Sequence, residues 1–126
     1  MSSCPRFGVS RHVAGTLLTV MSYSPDVRSG LNIRYSDEVI GICKQLNLIL
    51  SEYDRREEPE EIKRLEGMST RWGAEIAIKR AGRVPDVIYH LGDWGKEPMV
   101  TLLGRTAVDV AKTAKRIAQL LVQKET

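Results

Sequence analysis

Two apolar, β-rich runs, Asp86 to Leu91 and Met99 to Leu103, are separated only by Gly92-Asp93-Trp94-Gly95-Lys96-Glu97-Pro98. A parallel crossover takes a dozen or more residues, usually as a helix, and a loop of about seven is too short for one. The two runs are therefore expected to pair antiparallel. The rest of the chain alternates helical with strand patterns, so the expected architecture is α/β, with a mixed central sheet covered by helices.

The helical signals are local and physical. Ser10 is placed to cap a first helix, in which Val13, Leu17, Val20 and Met21 share a face and which ends near Ser24-Pro25. Leu31-Asn32-Ile33-Arg34-Tyr35 alternates, which predicts a strand with Asn32 and Arg34 on one face and Leu31, Ile33 and Tyr35 on the other. Ser36 caps a second helix, with Asp37 and Glu38 in the first turn, where acids favour the dipole, and Val39, Cys43 and Leu46 turned inward.

Leu48 to Tyr53 reads as a strand, and Pro59 opens a short helix running to Glu66 that Gly67 stops. The next stretch, Trp72 to Ala81, reads as a helix closed by Gly82. The last helix is expected to begin at Thr106, with Asp109 as an acidic capping-box partner, and to bury Val110, Ala114, Ile117 and Leu121.

Length and composition narrow the function. A chain of 126 residues, 42% hydrophobic, can close one core, and no repeat or linker divides it, so residues 1–126 are expected to form a single domain. No run of about 18 apolar residues is present and the N-terminus lacks a secretory pattern, which predicts a soluble, cytoplasmic protein. Cys4 and Cys43 lack zinc-ligand spacing and read as reduced thiols. The 19 basic residues are offset by 16 interleaved acidic ones, and a single Phe leaves no aromatic platform, so direct nucleic-acid binding is not expected.

Four segments carry residues suited to an anion. The loop after the first β-rich run gathers His90, Gly92, Asp93, Gly95, Lys96 and Glu97; glycines let backbone N–H groups approach a phosphate and the lysine supplies compact charge. A plain surface hairpin with a solvated Lys-Glu pair fits the same spacing, and both readings stay open. His90 shares a strand face with Ile88, the pattern of a buried, hydrogen-bonded histidine.

Arg34 with Asn32 can aim a fork of donors at a phosphate, or form an ordinary surface ion pair. Arg55 and Arg56 follow a strand, where α/β sheets commonly place ligand residues, although such a charged turn is usually just solvated. Arg6, Gly8, Ser10 and His12 lie at the start of the first helix, whose free N–H groups attract anions, while a surface position is the simpler account of His12. Four such contacts in one small domain favour a phosphorylated ligand over a neutral one.

The segments Cys4-Pro5-Arg6-Phe7-Gly8-Val9-Ser10 with His12-Val13-Ala14, Asn32-Ile33-Arg34-Tyr35, Asp54-Arg55-Arg56-Glu57-Glu58-Pro59, Glu66-Gly67 with Trp72-Gly73, Pro85-Asp86-Val87-Ile88-Tyr89 and Gly95-Lys96-Glu97-Pro98-Met99, in this order, resemble the successive motifs of the ThiN family. That resemblance implies a three-layer α/β/α fold with a mixed, largely antiparallel sheet, like that of class II aldolases.

It also implies a thiamine-phosphate synthase. Such an enzyme joins hydroxymethylpyrimidine diphosphate to thiazole phosphate and releases pyrophosphate. In the family the domain also occurs behind a helix-turn-helix, so the alternative is an effector domain that senses thiamine phosphates without turnover.

The family domain carries further residues ahead of the Cys4-Pro5-Arg6 segment, so an N-terminal part is expected to be missing here. The implied step needs positive charge around the departing pyrophosphate more than it needs a base. Arg34, His90 and Lys96 are the catalytic candidates. Arg6, Gly8, Ser10, His12, Asn32, Arg55, Arg56, Gly92, Asp93, Gly95 and Glu97 are the substrate-binding ones. Mg²⁺, held through Asp93 or Glu97, is the candidate cofactor, and a homodimer is a candidate assembly.

Overall fold

The computed structural model describes residues 6–63, 68–92 and 97–125, with side chains described for these apart from residues 6–14, 55, 62–63, 68–70 and 125. The elements run α1 (Arg6–Tyr23), β1 (Ser29–Arg34), α2 (Asp37–Gln45), β2 (Leu50–Glu52), a 3-10 turn (Arg55–Glu57), α3 (Glu60–Lys63), α4 (Met68–Ala81), β3 (Val87–His90), β4 (Met99–Gly104) and α5 (Ala107–Glu125).

The four strands form one sheet in the order β1-β4-β3-β2. β3 and β4 pair antiparallel, as the short connection requires, with Val87 opposite Leu102 and His90 opposite Met99. β1 pairs antiparallel with β4, and β2 pairs parallel with β3, its return made possible by the helical crossover between them. The sheet is mixed and largely antiparallel, as expected.

Two cores lie on its two faces, which makes the domain three-layered. On one face α2 and α5 bury Val39, Ile42, Cys43, Val110 and Ile117 against Val87, Val100 and Leu102. On the other, α1 and α4 bury Val20, Ala74, Ala77 and Ile78 against Tyr53 and Ile88. The alternation along β3 divides it between them: Val87 and Tyr89 face α2 and α5, Ile88 and His90 face α1 and α4. Each fully buried aliphatic side chain contributes about 1.5–3 kcal/mol relative to exposure.

The caps behave as their sequences predict. Val39 N–H donates to the Ser36 hydroxyl at 3.1 Å and Asp109 N–H to the Thr106 hydroxyl at 3.0 Å. Gly82 ends α4 at φ 74°, where a Cβ would be strained. Gly73 serves closeness instead: a Cβ there would overlap the ring of Tyr53, so α4 can approach the sheet only with glycine at this position.

Five boundaries differ from the sequence reading. α1 is already helical at Arg6, so Ser10 lies inside the helix and is not its cap. Gly costs about 1 kcal/mol relative to Ala in a helix interior, and Gly8 lies in α1, which packs against α4. α4 likewise starts at Met68, ahead of Trp72.

β1 is longer, because Ser29 pairs with Gly104. β2 is shorter than Leu48 to Tyr53. Leu48 N–H donates to Cys43 O at the end of α2, and Ile49 N–H to the Asp86 carboxylate, so neither joins the ladder as a regular strand residue. The short helix starts at Glu60, and residues 64–67, including its expected end at Glu66 and Gly67, lie outside the described residues.

Strand direction now defines two ends of the sheet. β1, β2 and β3 all finish at one end, which we call the upper end, and β4 begins there. The C-termini of α1 and α4 meet at the lower end, around Tyr23, Gly82, Leu103 and Gly104. Both helices therefore direct their N-termini toward the upper end, and α2 begins there too, directly after β1.

Candidate functional site

The upper end gathers most of the residues that the sequence singles out. Arg34 is in register with Met99 and Met99 with His90, so Arg34 and His90 face the same side of the sheet one strand apart, roughly 10 Å between their backbones. That side is the one covered by α1 and α4. One step down the strands lie Asn32 and Thr101, also in register.

Arg34 is exposed and makes no hydrogen bond or ion pair among the described residues. Its guanidinium is thus available to an incoming anion. Asn32 is half-buried and its amide oxygen accepts from the Thr101 hydroxyl at 2.7 Å, which leaves the amide NH₂ as its donor. Their sharing of one face of β1 matches the sequence reading.

His90 is buried, at 7% exposure. Gly92 N–H donates to its Nδ1 at 3.1 Å, and the Tyr53 ring packs on it with centroids 5.3 Å apart. Tyr53 in turn meets Trp72 edge-on at 6.0 Å. Tyr53 reads in the sequence only as the end of a strand; no local pattern marks it as the neighbour of His90, because the contact depends on β2 lying beside β3.

The Asp54 to Glu58 turn is largely self-neutralised. Arg56 donates through Nε and Nη2 to the two Asp54 oxygens at 3.0 and 2.9 Å, and those hydrogen bonds, before the charge itself, hold the Asp54 carboxyl below its ordinary pKa. Arg80 Nη2 bonds Glu57 at 3.0 Å. Arg80 was not anticipated: in sequence it is a basic residue in the last turn of a helix, the usual complement to the dipole.

These residues, with Glu52, Tyr53, Leu91 and Gly92, line a cavity of about 600 Å³ at the upper end. Behind it, on the α2 and α5 side, Tyr35 and Tyr89 stack at 6.1 Å. Burial first, and then the Glu52 carboxylate, raise the Tyr89 pKa; the hydrogen bond to Asp37 raises that of Tyr35. Both phenols stay neutral donors.

A larger cavity, about 710 Å³, lies at the lower end between the C-termini of α1 and α4. None of the sequence candidates lines it. Helix C-termini present carbonyls and partial negative charge, which disfavours an anion at the lower end.

Other candidates can be placed only in part. Arg6, Gly8, Ser10 and His12 belong to the N-terminal part of α1 and Arg55 to the 3-10 turn, but their side chains lie outside those described. Asp93, Gly95 and Lys96 lie outside the described residues altogether. Glu97 is exposed, two residues before β4 and so at the upper end. Among the described residues no group of three or more His, Cys, Asp or Glu could hold a metal, so no metal centre is built from them. Among them, too, no helix is long and apolar enough to cross a membrane.

The fold defines a small three-layer α/β domain that carries Arg34 and Asn32 on one face at the upper end of its sheet. The chain belongs to the family of thiamine-phosphate synthase ThiN, whose model matches residues 1–116.

Two curated relatives agree. Thiamine-phosphate synthase ThiN of Methanothermobacter thermautotrophicus is 44% identical over 113 residues, 90% of this chain and 60% of that protein. The bifunctional thiamine biosynthesis protein ThiDN of Methanocaldococcus jannaschii is 38% identical over 114 residues, again 90% of this chain but 26% of that protein. Among solved structures, the C-terminal domain of a phosphomethylpyrimidine kinase superposes with a TM-score of 0.77 at 49% identity, covering 84% of this chain and 60% of that one. The chain thus spans 60% or less of the length of these relatives.

Proposed function

We propose that this domain is a thiamine-phosphate synthase, joining hydroxymethylpyrimidine diphosphate to thiazole phosphate. The observation that carries the reading is Arg34, exposed and without a partner among the described residues, standing beside Asn32 at the end toward which α1, α2 and α4 direct their N-termini.

The chemistry suits that arrangement. The thiazole nitrogen lone pair forms the new C–N bond at the pyrimidine methylene, the C–O bond to the diphosphate breaks, and pyrophosphate leaves with the bonding electrons. Negative charge therefore accumulates on the leaving group as the reaction proceeds. Donors and dipoles already aimed at that position lower the barrier without having to reorganise. Arg34 and Asn32 serve as the fork on the phosphoryl oxygens, and Lys96, with Arg6 and Arg55, adds charge from the neighbouring segments. Arg56 joins only by exchanging Asp54 for substrate.

Mg²⁺ would bring further positive charge to the diphosphate, with Glu97 and Asp93 as the carboxylates suited to help hold it. Cys43, a buried free thiol whose pKa burial raises, accords with a cytoplasmic setting. A homodimer is compatible with this reading and is tested by sedimentation.

The decisive experiment measures pyrophosphate release from the paired substrates alongside thermal stabilisation by thiamine phosphate. Release that requires both substrates supports the proposal. Stabilisation by thiamine phosphate with no release overturns it in favour of a sensor.

A further inference from the structure

The sheet has two edges, and they are unlike. β2 is three residues long, the short form in which edges are usually kept from pairing with other chains. β1 runs for six residues in unbroken register with β4, without proline, lysine or bulge, and its one charge, Arg34, stands at its end.

Which backbone groups of β1 face away from β4 follows from the ladder. Val87 N–H donates to Ile49 O at 3.0 Å and Tyr53 N–H to Tyr89 O at 3.2 Å, so Val87 and Tyr89 turn toward β2, and Ile88 and His90 toward β4. Their partners Thr101 and Met99 therefore face β3, and Val100, Leu102 and Gly104 face β1. Ile33, Leu31 and Ser29 answer these three. The N–H and C=O of Gly30, Asn32 and Arg34 are left pointing outward, with no partner among the described residues.

We propose that this edge is a self-association surface: two copies pair β1 with β1, antiparallel about a two-fold axis at Asn32, into one continuous sheet. In that register Asn32 meets the partner's Asn32 and Gly30 meets the partner's Arg34, each pair exchanging N–H···O=C bonds. On the α2 and α5 face, Leu31, a large apolar side chain left 38% exposed, comes opposite the partner's Ile33. The exposed Arg28 comes opposite the partner's Ser36, beside the exposed Asp37, so opposite charges meet at both ends of the junction. A slip of one residue, centred on Leu31, would set Arg28 against the partner's Arg34, and like charges directly opposite destabilise a strand pair. The chosen register is self-complementary and closes on itself, as an isologous interface must.

At Asn32 and Arg34 the pairing uses backbone groups alone. An axis perpendicular to the sheet preserves its faces, so Asn32 and Arg34 of both copies stand on one side. Each Arg34 lies across from a glycine, which leaves its guanidinium uncovered. The assembly goes beyond the synthase reading and does not depend on it.

Sedimentation velocity is expected to show a dimer at about 100 µM chain, and a monomer there overturns the proposal. The register is tested by cross-linking, in a background with Cys4 replaced by Ser. Opposed residues of a hydrogen-bonded antiparallel pair lie about 5.5 Å apart at Cα, within the reach of a disulfide. Asn32→Cys is therefore expected to give a covalent dimer under mild oxidation. Gly30→Cys is not, because the two copies of that position lie roughly 13 Å apart along the strands. Cross-linking through Gly30→Cys in preference to Asn32→Cys, or through neither, overturns the assignment of the interface to this edge in this register. Leu31→Lys is expected to raise the dimer dissociation constant about tenfold or more, and an unchanged constant in the folded variant removes Leu31 from the interface and overturns the register. The cross-linking result decides the proposal even where that variant fails to fold.

Discussion

At the upper end of the sheet an exposed arginine, a half-buried amide and a buried histidine share one face, and a cavity of about 600 Å³ lies beside the Asp54 to Glu57 turn; at the lower end the cavity is larger, about 710 Å³, and Lys79, Arg83 and Arg105 line it. Counting cations or volume would choose the lower end. Helix direction argues against that choice, because α1 and α4 turn their C-terminal carbonyls toward the lower cavity and run with their N-termini at the upper end of the sheet. The lower cations are placed to complement those carbonyls, and Lys79 is further engaged by Glu75 at 3.1 Å, four residues back on the same helix. On the proposed reading, the orientation of the cover helices favours an anion at the upper end.

The comparison breaks most directly with a pair of substitutions, one at each end. Arg34→Ala is expected to lower kcat/KM for pyrophosphate release on the order of 100-fold, about 2.7 kcal/mol of lost transition-state stabilisation, whereas Arg105→Ala is expected to change it by less than about twofold. Both variants should melt within about 2 °C of the parent, as exposed residues do. Equal activity losses at the two ends would erase the distinction drawn here.

Next in size is a test of what supports the upper end. Gly73→Ala forces Tyr53 off its place against His90 and is expected to destabilise by about 1–3 kcal/mol in urea denaturation. Gly41→Ala, in α2 with nothing near its added Cβ, is expected to stabilise by up to about 1 kcal/mol. Opposite signs for two helical glycines would show that the first is kept for packing beneath the site. Lys96→Ala is expected to weaken thiamine phosphate binding about tenfold by calorimetry with the fold intact, and unchanged affinity would remove that loop from the site.

The smallest effect concerns Asp54. Its folded pKa is depressed by Arg56, so the pair contributes whatever stability it has above the unfolded carboxylate value, and that contribution fades as pH falls through the lower, folded value. A carbon-detected titration is expected to find the Asp54 midpoint below an ordinary aspartate and to return it upward in Arg56→Ala. Solvent exposure of Arg56 keeps the consequence for folding slight.

Much of this architecture is written in local sequence. Ser36 and Thr106 name their helices because a hydroxyl before a helical run has one natural partner, the N–H three residues on. The short Gly92 to Pro98 connection forces β3 and β4 antiparallel, the alternation at Asn32 and Arg34 assigns them one face, and Gly82 closes α4. These are short-range constraints of sterics and hydrogen bonding, readable without knowing the rest of the chain. The start of α1 at Arg6 escaped that reading, which took Ser10 as the cap because its hydroxyl precedes an apolar helical stripe.

What only the tertiary structure decided is which of these local features meet. Strand order places Tyr53 against His90, brings Arg80 to Glu57 and sets Arg34 one strand from His90; each contact joins segments far apart in sequence, and none has a periodic or motif signature of its own. The same holds for the two ends of the sheet, since a helix dipole acquires a functional direction only once the helix is laid on a particular face.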